Sequence, residues 1–279
     1  MNYIATVWRG PSRFTGRDVV AIITTRSSDK VGGAPGLIVR DAEINPVEFD
    51  KQYPGSGWFH AHKLKHIIKT SCGSCPLIAS QTCYVQHSVQ NSAQPAAASR
   101  DDEFVPPVRR AVWKSQRFRS AVAGDAAALP EEGFNAVLHF VKSSAGNSDV
   151  HWLGYTHDTT ATWLQGTHVA SCESLEQADK LRKRGWRTFT AVPPKDVPDG
   201  VLRLPKGYVL CPASKEAIAV RGRAIDCGSC GLCTGTDAIS VDKPHGAILR
   251  HSIRDFNAKK NMTVVDWRGR VVGRGPLAK

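Results

Sequence analysis

Eight cysteines stand in this 279-residue chain, and seven of them fall into two groups. The later group is Cys211, Cys227, Cys230 and Cys233, with 15, 2 and 2 residues between successive members. Four thiolates suffice to surround one Zn²⁺ or one [4Fe–4S] cluster. Gly228-Ser229 and Gly231-Leu232 fill the two short gaps. Small residues there allow tight turns whose backbone N–H groups face the sulfurs. The spacing therefore predicts a closed centre, structural or electron-carrying, with the stretch from Pro212 to Asp226 pinned at both ends. An unligated thiol cluster and a Cys227–Cys230 redox pair are the alternatives.

Zinc ribbons use two paired knuckles, whereas Cys211 stands alone before a compact triplet. That triplet is similar to the one in bacterial ferredoxins, and Cys211 is followed by Pro212, which favours an iron–sulfur cluster over zinc. The earlier group, Cys72, Cys75 and Cys83, has three thiols with gaps of 2 and 7 residues. A fourth ligand would come from Cys172 or from one of His60, His62, His66 and His87. His62 and His66 share one helical face. Without a fourth protein ligand the centre is open to substrate or cofactor.

Other residues suited to chemistry follow expected strands. Asp125 follows Gly124, His157 and Asp158 follow the stretch from Val150 to Thr156, and Glu173 follows Cys172. Asp125 is a candidate general base or nucleophile, His157 a proton carrier or phosphate-orienting group, and Glu173 a third group for the same mouth. The alternative is that these are turn residues. No P-loop, dinucleotide fingerprint, His-Glu-X2-His or Gly-X-Ser-X-Gly is present.

Short apolar runs and helical stripes are expected to position these groups. Val19 to Thr25, Leu37 to Val39, Val150 to Thr156, Thr167 to Cys172, Trp186 to Val192 and Tyr208 to Cys211 read as strands. Glu131 to Ser143 reads as a helix with Phe134, Val137, Leu138 and Val141 on its apolar stripe. Ser174 to Gly185 reads as another, with a Ser cap, late basic residues and a terminal Gly. Helical spacing also covers His60 to Thr70, whereas Gln90 to Pro107, rich in Ala, Ser, Asp and Pro, reads as a loop. Strand–helix–strand order implies parallel pairing. A doubly wound sheet and a β/α barrel both fit this order; the expected fold is α/β, a partial or full β/α barrel with cysteine-rich metal-binding insertions, because the candidate groups recur just after strands. The expected organisation is an N-terminal extension over residues 1–57, a barrel-like core over 58–210, and a metal site with a basic segment over 211–279.

The net charge is +12, and the stretch from Val201 to Lys279 carries 14 Lys and Arg against 6 Asp and Glu, an excess of 8. That excess points to a phosphate-bearing partner, nucleic acid or nucleotide. The candidate contacts are Arg109, Arg110, Lys114 and Arg117, with Arg250, Arg254, Lys259, Lys260, Arg268 and Arg270. Trp113 and Trp267 are candidates for base stacking. No stretch reads as a membrane span and the N-terminus carries no secretory pattern, so a cytoplasmic setting is expected, where close Cys-X2-Cys pairs are ligands more often than disulfides.

Several motifs together resemble an uncharacterised cysteine-rich family of bacteriophages. They are Cys72-X2-Cys75 with Cys83-Tyr84, the stretch from Arg119 to Pro130, Gly154-Tyr155-Thr156-His157, and Gly185-Trp186-Arg187-Thr188-Phe189. Cys211-Pro212-Ala213-Ser214-Lys215-Glu216 and the triplet from Cys227 to Cys233 complete the set. The resemblance runs from about Ser71 to Gly235 and implies a phage or prophage origin, hence a bacterial host cytoplasm, but supplies no reaction. Members more often read Gly-Asp-Pro-Ala-Ala where this chain has Gly124-Asp125-Ala126-Ala127-Ala128, and a residue other than cysteine at Cys172. In layout alone the chain also resembles radical S-adenosylmethionine enzymes, although their usual Cys-X3-Cys-X2-Cys triplet is absent.

The expected function is an iron–sulfur or zinc metalloenzyme acting on nucleic acid or nucleotides, with base modification as one form. A metal-stabilised DNA- or RNA-binding protein and a virion structural or assembly protein are the competing readings.

Overall fold

The computed structural model describes residues 3–25, 27, 32–43, 65–76, 101–146, 149–223, 225–250 and 262–275. The chain is α/β and divides into two compact units, Met1–Leu164 and Gln165–Lys279. This division does not coincide with the boundaries expected near residues 57 and 210.

The first unit is built on a sheet of order β1-β2-β3-β4-β5: β1 (Ile4–Pro11), β2 (Asp18–Thr24), β3 (Gly36–Asp41), β4 (Arg117–Ala123) and β5 (His151–Leu153). The first three strands pair antiparallel, and β3–β4 and β4–β5 pair parallel. The expected extension thus supplies three of the five strands. Its apolar β-branched run is the reason: Val19, Ile22, Ile23, Leu37 and Val39 are all fully buried, which removes apolar surface worth roughly 1.5–3 kcal/mol per side chain.

Among the described residues this unit also has a short strand, β6 (Tyr155–Thr156), and three helices, α1 (Lys65–Cys72), α2 (Asp101–Ser115) and α3 (Glu131–Ser144). Residues 60–64 of the expected first helix lie outside the described residues. The loop expected up to Pro107 is helical from Asp101, and Pro106 and Pro107 lie inside α2. Val108 and Val112, one helical turn apart, are fully buried, and that tertiary burial offsets the proline penalty. In α3 the stripe buries Phe134, Val137 and Val141. Phe118 of β4 meets Trp152 of β5 edge-on with ring centroids 4.9 Å apart.

In the second unit, β7 (Val169–Cys172), β8 (Thr188–Val192), β10 (Tyr208–Leu210) and β11 (His245–Leu249) lie side by side in the order β10-β11-β8-β7, all parallel. Between β7 and β8 runs α4 (Leu175–Arg182), whose N-cap Ser174 accepts a hydrogen bond from the Gln177 N–H. A smaller sheet joins β9 (Val201–Arg203), β12 (Thr263–Val265) and β13 (Val271–Arg274). The described residues of this unit also include two short helices, α5 (Lys215–Arg221) and α6 (Cys227–Cys230). The strands form separate sheets, and a closed barrel is not formed among the described residues. Nor is any described helix long and apolar enough to cross a membrane.

Candidate functional site

In the first unit, α1 ends at Cys72 and the chain turns at once. Gly73 takes a left-handed φ of 57°, and the Cys75 N–H donates to the Cys72 carbonyl at 3.1 Å. The two thiols of this Cys-X2-Cys pair therefore flank one tight turn. The end of α1 is tied to the end of β4, because the Asp125 N–H donates to the Ser71 carbonyl at 2.7 Å. Gly124 makes that junction possible. Its φ is 75°, and any Cβ there would collide with the Val39 backbone.

Asp125 is buried, 6% exposed, and its two oxygens serve two turns. Oδ1 accepts from the Ala127 N–H at 3.0 Å, capping the short helical turn Ala126–Ala128. Oδ2 accepts from the His157 N–H at 2.8 Å. Burial pushes the Asp125 carboxyl above its ordinary range, and the Ala127, His157 and Thr156 hydrogen bonds and the nearby imidazole pull it back only in part. The His157 ring in turn reaches the first cysteine group, with Nδ1 3.4 Å from the Cys75 sulfur.

Arg13, just after β1, joins these turns. Its guanidinium donates to the Ala127 carbonyl at 2.8 Å and to Asp158 Oδ2 at 3.1 Å, and it lies 4.7 Å from the centre of the Trp163 ring. Burial raises Asp158, but the Thr160 hydrogen bonds and the Arg13 charge outweigh it and hold the carboxyl below the usual range. Sequence reasoning missed Arg13 and Trp163. The one available signal was a basic residue in a Gly-Pro-Ser turn directly after a strand.

The arrangement offers a thiol, an imidazole able to exchange a proton with it, and a buried carboxyl that fixes the imidazole's backbone. Cys83 lies outside the described residues. Glu173 belongs to the second unit, at the end of β7, where Oε2 is 3.4 Å from the Arg250 guanidinium. Cys172 beside it is fully buried, and burial, with the Glu173 charge, pushes its thiol up to about 12. That thiol stays protonated and packs as a small apolar group.

Of the later cysteines, Cys211 directly follows β10, and Cys227 and Cys230 lie near it. The Cys211 N–H donates to the Ala247 carbonyl at 2.7 Å, and the Ala213 and Ser214 N–H groups are directed at the Cys211 sulfur. Burial pushes the Cys211 thiol up to about 11, and Cys227 and Cys230 lie near enough that their charges raise it further. Asp226 caps α6 through the Ser229 N–H at 3.0 Å, and Gly231, with φ 67°, closes it. Cys233 follows, 8% exposed. Among the described residues no three His, Cys, Asp or Glu side chains converge closely enough to hold an ion as they stand. Two N–H groups thus face the Cys211 sulfur, and two further thiols lie near it.

The basic candidates fall on both units. Arg109, Arg110 and Lys114 are exposed on α2 and Arg117 is half-buried on β4. Arg109 is committed to packing, stacked 4.6 Å above the Phe140 ring and bonded to Ser143 Oγ at 3.2 Å. Trp113, between Arg110 and Lys114, is 59% exposed, and Trp267 is 52% exposed under the Arg268 guanidinium. Arg270 pairs with Asp266 at 2.7 Å. Arg254, Lys259 and Lys260 lie outside the described residues. No family of known proteins, no curated protein and no solved structure matches this chain.

Proposed function

We propose that this chain is a metal-dependent enzyme acting on nucleic acid or nucleotides. Its catalytic centre is the Cys72–Cys75 turn, with Cys83 as a further ligand, and Asp125 and His157 serve it. The observation that carries the reading is the 3.4 Å approach of His157 Nδ1 to the Cys75 sulfur, with Asp125 behind it. A structural metal site needs only ligands, whereas this one has a proton-carrying ring and a buried carboxyl beside a thiol, the combination used for acid–base or nucleophilic steps. Zinc bound there would supply Lewis acidity, and an iron–sulfur cluster an electron. The chain's own groups hold and move protons: Cys75 as thiol or thiolate, His157 as its exchange partner, and Asp125 as the acceptor that fixes the His157 backbone. Cys211, Cys227, Cys230 and Cys233 form the second, closed centre of this reading.

The test is anaerobic purification with iron, sulfide and zinc quantified per chain, for the wild type and for Cys75→Ser and Cys211→Ser. The reading expects metal in the wild type and a separate loss in each variant. A metal-free, folded wild type would sink it.

A second reading, a non-enzymatic nucleic-acid-binding protein, is favoured by one observation. Trp113 is exposed on α2 between Arg110 and Lys114, which pairs a stacking surface with phosphate-binding charge. Binding with steep salt dependence, unchanged in Cys75→Ser and His157→Ala, supports that alternative.

A further inference from the structure

The smaller sheet of the second unit has two unlike faces. Val264 of β12 lies beside Leu202 of β9 on one side and Gly273 of β13 on the other, and all three are buried. A side chain at Gly273 would collide with Leu210 of β10 and press on Glu216 of α5, so this row is the packed face. Side chains alternate along a strand, and the rows on either side of it therefore present the opposite face. One of those rows is Val201, Thr263 and Arg274, and the other is Arg203, Val265 and Val271. None of the six is buried, and Arg203, Val271 and Arg274 are exposed. The outer face is thus a β-branched surface with an arginine on each outer strand.

The turn from Asp266 to Arg270 joins β12 to β13 and is pinned by its first residue. Asp266 Oδ1 accepts the Arg268 and Arg270 N–H groups at 2.9 and 3.0 Å, and Oδ2 accepts from Arg270 Nε at 2.8 Å. Gly269, with a left-handed φ of 77°, completes the turn. Trp267 projects from it, 52% exposed, with the Arg268 guanidinium 4.6 Å from the ring centre. The Asp266 charge is taken by Arg270, and among the described residues no carboxylate pairs with Arg203, Arg268 or Arg274.

Three cations without a counter-charge, an exposed indole and an open strand surface select one class of partner. An acidic peptide would satisfy the charge and leave the indole unused. A duplex presents phosphates but keeps its bases stacked inside. A single strand offers phosphates and unstacked bases together. We propose that the outer face of this sheet, with its hairpin tip, is a docking surface for single-stranded nucleic acid. Arg203, Arg268 and Arg274 bind its phosphates, and a base stacks on Trp267. This surface shares the nucleic-acid partner of the proposed function, but needs neither a bound metal nor the Cys72–Cys75 turn, and it is separate from α2.

The probe is labelled oligothymidylate, bound to the full chain and followed by fluorescence anisotropy at several salt concentrations. Trp267→Ala should weaken binding by about tenfold or more, the loss of one base stack. Trp267→Phe keeps a ring face and should stay within about threefold of the wild type, whereas Trp267→Leu keeps only apolar bulk and should lose as much as the alanine variant. Changing Arg203 and Arg274 together to Gln should reduce the slope of log affinity against log salt by about 0.7 for each lost phosphate contact. These side chains lie on the surface, so urea midpoints should stay at the wild-type value. Should Trp267→Ala lower the midpoint, the arginine pair decides alone. Unchanged affinity in a folded Trp267→Ala, or an unchanged salt slope in the arginine pair, overturns the proposal. So does a duplex or a polyglutamate peptide that binds as tightly as the single strand and loses as much in Trp267→Ala, since neither offers an unstacked base. If the wild type does not bind the oligonucleotide at all, the nucleic-acid reading falls and this proposal with it. Intact binding that ignores these substitutions removes the proposal alone.

Discussion

The sulfur of Cys75 and Nδ1 of His157 lie 3.4 Å apart across 82 residues of sequence. The contact is held from the backbone side, because Asp125 accepts the His157 N–H at 2.8 Å rather than the ring. His157→Ala keeps that N–H and should lower stability by less than about 1 kcal/mol. Asp125→Asn removes one of two carboxylate acceptors for buried N–H groups, at a cost of about 2 kcal/mol. Urea unfolding of the two variants checks this, and equal stabilities would show that Asp125 does not fix the turn. On the proposed metal-dependent reading, metal content should also fall in His157→Ala while its fold survives.

On the proposed reading of Cys211, Cys227, Cys230 and Cys233 as a metal centre, Cys211→Ser should lower the metal content and open the chain after Tyr208 to protease. The first unit has its own sheet and core and should stay protected. Metal content and limited proteolysis, measured together, decide this. Full metal content with unchanged protection would mean that Cys211 is not a ligand.

His245 makes stability depend on pH. Its Nδ1 accepts the Thr188 N–H at 3.0 Å, and Nε2 lies 3.0 Å from the Val241 carbonyl, an arrangement that fits the neutral ring protonated on Nε2. Burial, then the Arg182 and Arg187 charges, pull its pKa down to about 4 from 6.5. Between those values the unfolded chain binds the extra proton, so stability rises with pH. The contribution is complete above about pH 6.5 and is lost as pH falls towards 4, with an upper bound of about 3 kcal/mol at 1.36 kcal/mol per pH unit. Urea midpoints across that window should fall in the wild type and flatten in His245→Asn.

Binding of single-stranded nucleic acid should weaken with salt. Replacing Arg110 and Lys114 together by Ala should reduce the slope of log affinity against log salt by about 0.7 for each phosphate that is no longer neutralised. Trp113→Ala should cost about 1–3 kcal/mol if a base stacks there. Arg109→Ala should instead act through stability, because Arg109 stacks on Phe140 and bonds Ser143. An unchanged salt slope in the double variant would remove α2 from the binding surface.

Local chemistry was legible in the sequence. The β-branched run from Val19, the stripe in α3 and the Ser174 cap of α4 each announced an element, because propensity and periodicity act over a few residues. Cysteine spacing suggested two groups of thiols; Cys211 lies near Cys227 and Cys230, and Cys83 lies outside the described residues. The α/β class followed from the order of those elements. Which strands became neighbours did not follow, and the three strands before residue 57 joined β4 and β5 because their buried faces needed the same core. The helix through Pro106 and Pro107 depends on the burial of Val108 and Val112, a tertiary term that overrides a local penalty. His157 meets Cys75, Arg13 ties two distant turns together, and Arg187 collects five carbonyls from residues 232–244. These interactions bring together residues far apart in sequence, and only the packing of the complete chain selects them, since no local rule ties residues so widely separated.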